Sequence, residues 1–161
     1  MEIIPYRAGI LGGLAGGGVM VGVALAYGLL SGRGVWFPVN LIGAVLVREL
    51  QDAPLEVLTH FHFPALIAGL FVHILLSALL GALYALILPA LPGSPLVWAV
   101  IVGPLLWLGA TFVILPIFNP IMARYVDWPS FALAHLAYGL TMGSIVTRIA
   151  RRQGGVRGLR R

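Results

Sequence analysis

The sequence predicts an all-α integral membrane protein, a four-helix bundle with an additional short interfacial helix in the first outward connection. Three observations lead there. Of its 161 residues, 60% are hydrophobic and 9% charged, against roughly 25% charged residues in a soluble domain. Pro64 to Leu88 are 25 residues without Asp, Glu, Lys or Arg, more than the roughly 20 that a helix needs to cross a bilayer core. Within that run Gly69, His73, Ser77, Gly81 and Ala85 recur at every fourth position. Such a stripe of small and polar side chains faces protein rather than lipid, because small residues let helix backbones approach and a buried polar group finds a partner there. The length fits a single membrane domain, 1–161.

The first span is expected at about 9–30. It carries Gly9, Gly13 and Gly17 at four-residue spacing, with Gly12 and Gly16 beside them and Gly18 and Gly22 continuing the pattern. These overlapping steps predict close helix contact, or a glycine-rich wall for a ligand or a homodimer seam. The run is longer than the apolar core of a cleavable signal, so it is read as a retained span. The connection after it is too apolar for a simple solvated loop. Val39, Ile42, Leu46 and Leu50 fall at helical spacing, which predicts an interfacial helix over about 39–50, with Trp36 and Phe37 in an aromatic belt at the headgroups. The second span is expected at about 64–88, and Pro89, Pro92, Gly93, Ser94 and Pro95 make the turn that follows. The third span, about 96–118, contains Pro104 and Pro116; each removes a backbone donor, so the first should kink the helix and the second end or bend it. Pro129 opens the fourth span, about 129–147. A basic tail, 148–161, completes the chain.

The ten basic residues are all arginine, and Arg148, Arg151, Arg152, Arg157, Arg160 and Arg161 lie in the tail. The net charge of +5 therefore belongs to the tail. The positive-inside rule places it in the cytoplasm, and four spans return the N-terminus to the same side. A bacterial cytoplasmic membrane location follows, with the arginines contacting anionic lipid or a partner. Nucleic acid is not invoked as a partner. There is no cysteine, which excludes disulfides and thiolate-ligated metal or iron–sulfur centres. Buried carboxylates or arginines, the usual marks of an ion pump or charged-substrate carrier, are absent from the expected spans. No nucleophile and base pair, phosphate loop or carboxylate pair stands out, so no catalytic residue and no enzyme is expected.

The candidates for ligands or proton carriers within the bilayer are His73 and His135. Each lies several residues into a span that starts from the outer face, so the two imidazoles are expected within one helical turn of the same depth. His135, Gly139, Gly143 and Thr147 repeat the stripe of His73, Ser77, Gly81 and Ala85. Two histidines above grooves of small residues would suit a bis-imidazole haem b between helices. The alternatives are a hydrogen bond across a helix contact and a proton relay. His60 and His62 stand two apart, which points them to different sides of a helix and makes them poor joint ligands; interface anchoring suits them better, and no metal site is expected. The two halves also suggest a parallel duplication, since each hairpin passes a connection with Pro and Asn and returns on a histidine stripe.

His73, Ser77, Tyr84 and Pro92, spaced H-x3-S-x6-Y-x7-P, resemble the central span of the YagU-like inner membrane proteins, a bacterial family of unassigned biochemical function. The resemblance extends to Trp98, Pro116 and His135-Leu136, and covers roughly the last two-thirds of the chain. Trp36-Phe37-Pro38-Val39-Asn40 and Val126-Asp127-Trp128-Pro129 also resemble small four-span proteins encoded near haem–copper oxidases. Neither resemblance implies a catalytic residue. With the small-residue faces they lead to the expectation of a structural or accessory subunit docked on other membrane-protein subunits of a larger complex, such as a respiratory one. The other expectations are a small channel or carrier for protons or a neutral solute, and a haem-binding electron-transfer subunit.

Overall fold

The computed structural model describes residues 6–158, of which 153–158 are described as helix without their side chains. Arg160, Arg161 and the side chain of Arg157 lie outside the described residues. Eight α-helices follow in order: α1 (Tyr6–Leu30), α2 (Trp36–Gly43), α3 (Leu55–Leu58), α4 (Phe63–Ile87), α5 (Pro95–Gly109), α6 (Leu115–Phe118), α7 (Pro120–Tyr125) and α8 (Trp128–Gly158). No strand occurs among the described residues. Four segments are long and apolar enough to cross a membrane: Tyr6–Leu30, Phe63–Ala90, Pro95–Phe118 and Trp128–Arg152. They coincide with the four expected spans. The fourth helix is the exception in length, because α8 continues past the expected end at 147, through Arg148, Arg151 and Arg152, to Gly158.

Helix limits follow local chemistry. Gly34, at φ +82°, turns the chain after α1 and donates its N–H to the Gly28 carbonyl at 2.8 Å, as a left-handed glycine cap does. His62 opens α4, its Nδ1 accepting from the Ala65 N–H at 3.2 Å just ahead of Pro64. Ser94 opens α5 in the same way, its hydroxyl accepting from the Val97 N–H at 3.4 Å. The third span continues through Pro104, then widens into a π-turn at Ala110–Ile114 before α6. Pro116 lies just beyond that turn, and the wider winding accommodates the missing proline donor.

α1 is the axis of the bundle. The extensive helix pairs are α1 with α8, α1 with α4, α5 with α8, and α2 with α4, so the four long helices follow one another laterally as α4, α1, α8, α5. Two rows of glycine make this possible. Gly9, Gly13 and Gly17 face α4, where a Cβ on Gly13 would collide with the Ser77 carbonyl and the Gly81 backbone. Gly12 and Gly16 face α8, where a Cβ would stand 2.9 Å from the Met142 carbonyl and 2.7 Å from the Tyr138 carbonyl. Gly18 and Gly22, expected to extend the packing pattern, have nothing within 4 Å of such a Cβ. A residue one position past the α4 row turns about 100° away from it, out of both seams.

The second hairpin repeats the interlock. Gly81 sits against Gly9 and Gly13, and Gly139 sits in the same way against Ala99 and Gly103. Gly13 meets the Ser77 carbonyl and Gly103 meets the His135 carbonyl, which would stand 2.7 Å from a Cβ added to Gly103. In this register His135 corresponds to Ser77, not to His73. The stripe of α8 is therefore one turn out of step with the expected match, although the mode of packing recurs.

The interfacial helix differs from the expected 39–50. It runs Trp36–Gly43, after which the chain turns through 44–47 into a 3₁₀ turn at Arg48–Asp52. Gly43 lies against the Ala65 carbonyl and Gly69 against that of Val39, so α2 packs flat on the start of α4. Phe37, expected in a headgroup belt, is 1% exposed in a cluster with Leu41, Ala44, Leu50, Leu58 and Ile121. Leu46, one of the four apolar positions at helical spacing, lies beyond the end of α2 and is exposed. Burial of Phe37 and Leu41 outweighs the simple periodicity, because each large apolar side chain removed from water contributes about 1.5–3 kcal/mol.

This packing predicts that Gly13→Ala lowers the detergent melting temperature by several degrees, overpacking of this kind costing about 1–3 kcal/mol. Gly18→Ala should leave it unchanged or raise it slightly, since alanine is the better helix former. Gly81→Leu and Gly139→Leu should destabilise more than His73→Gln or His135→Gln. Equal melting of the Gly13→Ala and Gly18→Ala proteins would contradict the assigned seams.

Candidate functional site

Among the described residues, the side-chain hydrogen bonds that tie the connections together cluster at one end, where α2, α3 and α7 form a cap over the long helices. Asn40 and Asn119 are its fixed points, both buried. The Asn40 amide donates to the Leu58 and His60 carbonyls at 3.0 and 2.7 Å, tying α2 to the chain that leads into α4. The Asn119 amide donates to the Leu41 carbonyl at 2.7 Å. Gln51 joins the two connections: its amide donates to Asn119 Oδ1 at 2.9 Å and to the Ala44 carbonyl at 2.7 Å, while its oxygen accepts from the Ile121 N–H at 3.1 Å. Arg33 and Arg48 reach the Tyr125 and Phe118 carbonyls at 3.2 and 3.0 Å. His60 and His62 lie between α3 and α4, not on a helix as expected, and meet different partners: His60 Nδ1 lies 2.8 Å from the Glu56 carbonyl, and His62 Nε2 lies 3.3 Å from Glu49.

Beneath the cap two cavities adjoin. One, about 130 Å³, is lined by Tyr27, Phe37, Pro38, Leu66, Asp127 and Ser130 among others. The second, about 180 Å³, lies between α4 and α5, with Val72, Leu76 and Leu80 on one wall and Leu106, Ala110 and Ile114 on the other. Met20, Ile42, His73, Met122 and Phe131 border both. The second cavity exists because α4 and α5 have no extended contact, each being held by its neighbour on the far side. At the opposite end they converge, where the Tyr84 hydroxyl donates to the Pro95 carbonyl.

His73 and His135 both line the cavity between α4 and α5. Their common level follows from α1: Ser77 lies against Gly17 and Tyr138 against Gly16, and the histidines precede these residues by four and three positions. Each ring is fixed by a backbone carbonyl. His73 Nε2 is 3.0 Å from the Gly17 carbonyl, and His135 Nδ1 is 2.8 Å from the Phe131 carbonyl. A carbonyl only accepts, so the proton is on Nε2 in His73 and on Nδ1 in His135. The Phe131 ring meets the His135 ring edge to face, with centroids 4.4 Å apart. The Tyr138 hydroxyl crosses from α8 to donate to the Ser77 carbonyl at 3.1 Å.

The sites expected from sequence divide accordingly. Ser77, Gly81, Gly9, Gly13 and Gly17 meet in the α1–α4 seam, and Gly139 and Gly143 in the α5–α8 seam. Each groove below a histidine is thus filled by another helix. A bis-imidazole haem does not fit: the grooves hold α1 and α5, and the Gly17 carbonyl occupies His73 Nε2. Among the described residues no group of three or more His, Asp or Glu is placed to hold a metal ion. Arg148, Arg151 and Arg152 are exposed on α8. Asn119, Gln51 and Tyr138 do not stand out in the sequence as members of a site. The signal available there is a single polar residue at the edge of an apolar run, which marks burial without naming its partner.

The ring assignments predict opposite tautomers. Imidazole ¹⁵N spectra of histidine-labelled protein at pH 8 should show His73 protonated at Nε2 and His135 at Nδ1. The same tautomer for both would contradict the hydrogen bonding described.

No family model, curated protein or solved structure matches the chain.

Proposed function

We propose that this chain is a non-catalytic, multi-pass protein of a bacterial cytoplasmic membrane that serves as a structural or accessory subunit of a larger membrane complex, such as a respiratory one. The observation that carries the reading is the third glycine face of α1. Two small-residue faces of this helix are filled by α4 and α8, whereas Gly18 and Gly22 present a further small-xxx-small row that nothing among the described residues covers. Rows of this kind are where membrane helices approach one another. The rigid cap and the interlocked seams suit a part that holds a fixed shape against a neighbour. The termini lie in the cytoplasm, where the α8 arginines meet anionic lipid or the partner subunit. The H-x3-S-x6-Y-x7-P spacing supports placing the chain with the YagU-like proteins, and its His73, Ser77 and Tyr84 all make or border interhelical contacts.

Native gels after mild solubilisation test the reading. The parent protein is expected to migrate with a larger assembly, and Gly18→Leu with Gly22→Leu to release it while melting within a few degrees of the parent. A parent that runs only as a free monomer under every mild condition removes the reading.

A second reading has its own observation, the two histidines on one cavity. A carrier of protons or a neutral solute would use them, and His73→Ala and His135→Ala would then each reduce flux in proteoliposomes. Unchanged flux in both variants, or none in the parent, excludes it.

A further inference from the structure

The cavity between α4 and α5 has hydrocarbon walls that part sideways, since Leu76 and Ile114 line it and are about half exposed, at 47% and 49%. Among the described residues no Arg, Lys, Asp or Glu lines it. A phosphate, carboxylate or ammonium head would find no counter-charge there and would lose its hydration on entering.

What the cavity does offer is acceptors. With Nε2 of His73 and Nδ1 of His135 donating to carbonyls, the free nitrogens, Nδ1 of His73 and Nε2 of His135, carry lone pairs. Neither is sealed off: the occluded side-chain atoms without a partner, among the described residues, are Asn40 Oδ1, Trp107 Nε1 and Thr111 Oγ1. Two other polar groups of the lining are committed: the Tyr138 hydroxyl donates to the Ser77 carbonyl and the Asn119 amide to that of Leu41. Ser77 Oγ lies against Gly17. A ligand hydroxyl supplies the hydrogen that the two imidazole acceptors take. A volume near 180 Å³ is of the size that holds one aromatic ring, about 150 Å³ sufficing for benzene.

We infer that this cavity binds an uncharged amphiphile with a phenol-sized, hydroxyl-bearing head, the hydroxyl donating to His73 Nδ1 or His135 Nε2 and the hydrocarbon tail leaving between α4 and α5. The site rests on the membrane reading and is independent of any docked complex. It is also independent of transport, since binding without flux leaves it intact.

The test uses the full chain in phosphatidylcholine nanodiscs, titrated with 4-dodecylphenol and with its methyl ether. Both have the same ring and tail, and only the phenol donates. Saturable binding is expected for the phenol by calorimetry, with the free imidazole nitrogen shifting in the ¹⁵N spectrum. The ether should bind about 3- to 10-fold more weakly, the fold-change that one hydrogen bond supplies. Leu76→Trp, at the mouth, should weaken both probes alike, and the double variant His73→Leu/His135→Leu should lose the preference. Equal binding of phenol and ether to the parent, or imidazole signals that neither probe moves, overturns the site without any variant having to fold. A chain that stays out of the discs overturns the membrane reading and the site together.

Discussion

Direct backbone-to-backbone approach at α1 is the constraint on which the rest depends. In a bilayer the tails are as apolar as leucine, so burying one apolar helix against another gains little from solvent, and contact energy comes from dispersion at short range. Gly9, Gly13 and Gly17 let α4 close in on one side, and Gly12 and Gly16 let α8 close in on the other. No side chain larger than hydrogen fits at these positions. Because α1 holds both neighbours, it sets their relative heights and brings His73 and His135 to one level. Because α5 packs along α8 and meets α4 at the Tyr84–Pro95 end, the fourth side of the bundle opens as a cavity away from that end.

The second constraint is that a polar group withdrawn from water costs free energy unless it finds a partner, and among the described residues Asn40 Oδ1, Trp107 Nε1 and Thr111 Oγ1 are the occluded side-chain atoms that find none. At the capped end the two asparagines and Gln51 take up the carbonyls of Leu41, Ala44 and Leu58 and the N–H of Ile121. In the middle of the bundle a carbonyl fixes each imidazole in one tautomer. The His73 bond crosses to α1, and interhelical hydrogen bonds in membranes average only about 0.6 kcal/mol, whereas the His135 bond stays within α8; both fix orientation more than they add stability. That fixed orientation leaves His73 Nδ1 and His135 Nε2 without a hydrogen-bond partner among the described residues, on two side chains that line one cavity.

Much of this architecture is legible in the chain because helical periodicity is a statement about faces. The spacing of Gly69 through Ala85 marks the packed face of α4, and counting residues from Pro64 and Pro129 places the two histidines at similar depth. Periodicity does not say which helix meets a face. The α8 stripe resembles a partner for the α4 stripe, yet α1 fills one and α5 the other, and the grooves that would suit a haem are occupied by those helices. The bounds of α2 depart from the pattern for a related reason. Val39, Ile42, Leu46 and Leu50 share a period, but the Gly43–Ala65 contact and the burial of Phe37 fix where the helix ends, and those are tertiary facts. Gly18 and Gly22 continue the sequence pattern of small residues while turning out of the seam. Tautomers are beyond the reach of a sequence pattern, since they depend on the carbonyls of Gly17 and Phe131.

The most direct test of the helix order is a ¹³C–¹³C correlation spectrum of glycine-labelled protein in lipid. Cross-peaks between Gly13 and Gly81 and between Gly103 and Gly139 are predicted, because in each pair one backbone leaves no room for a Cβ on the other. Spectra lacking both cross-peaks, or showing Gly81 against Gly103 as they would if α4 packed on α5, would contradict the account.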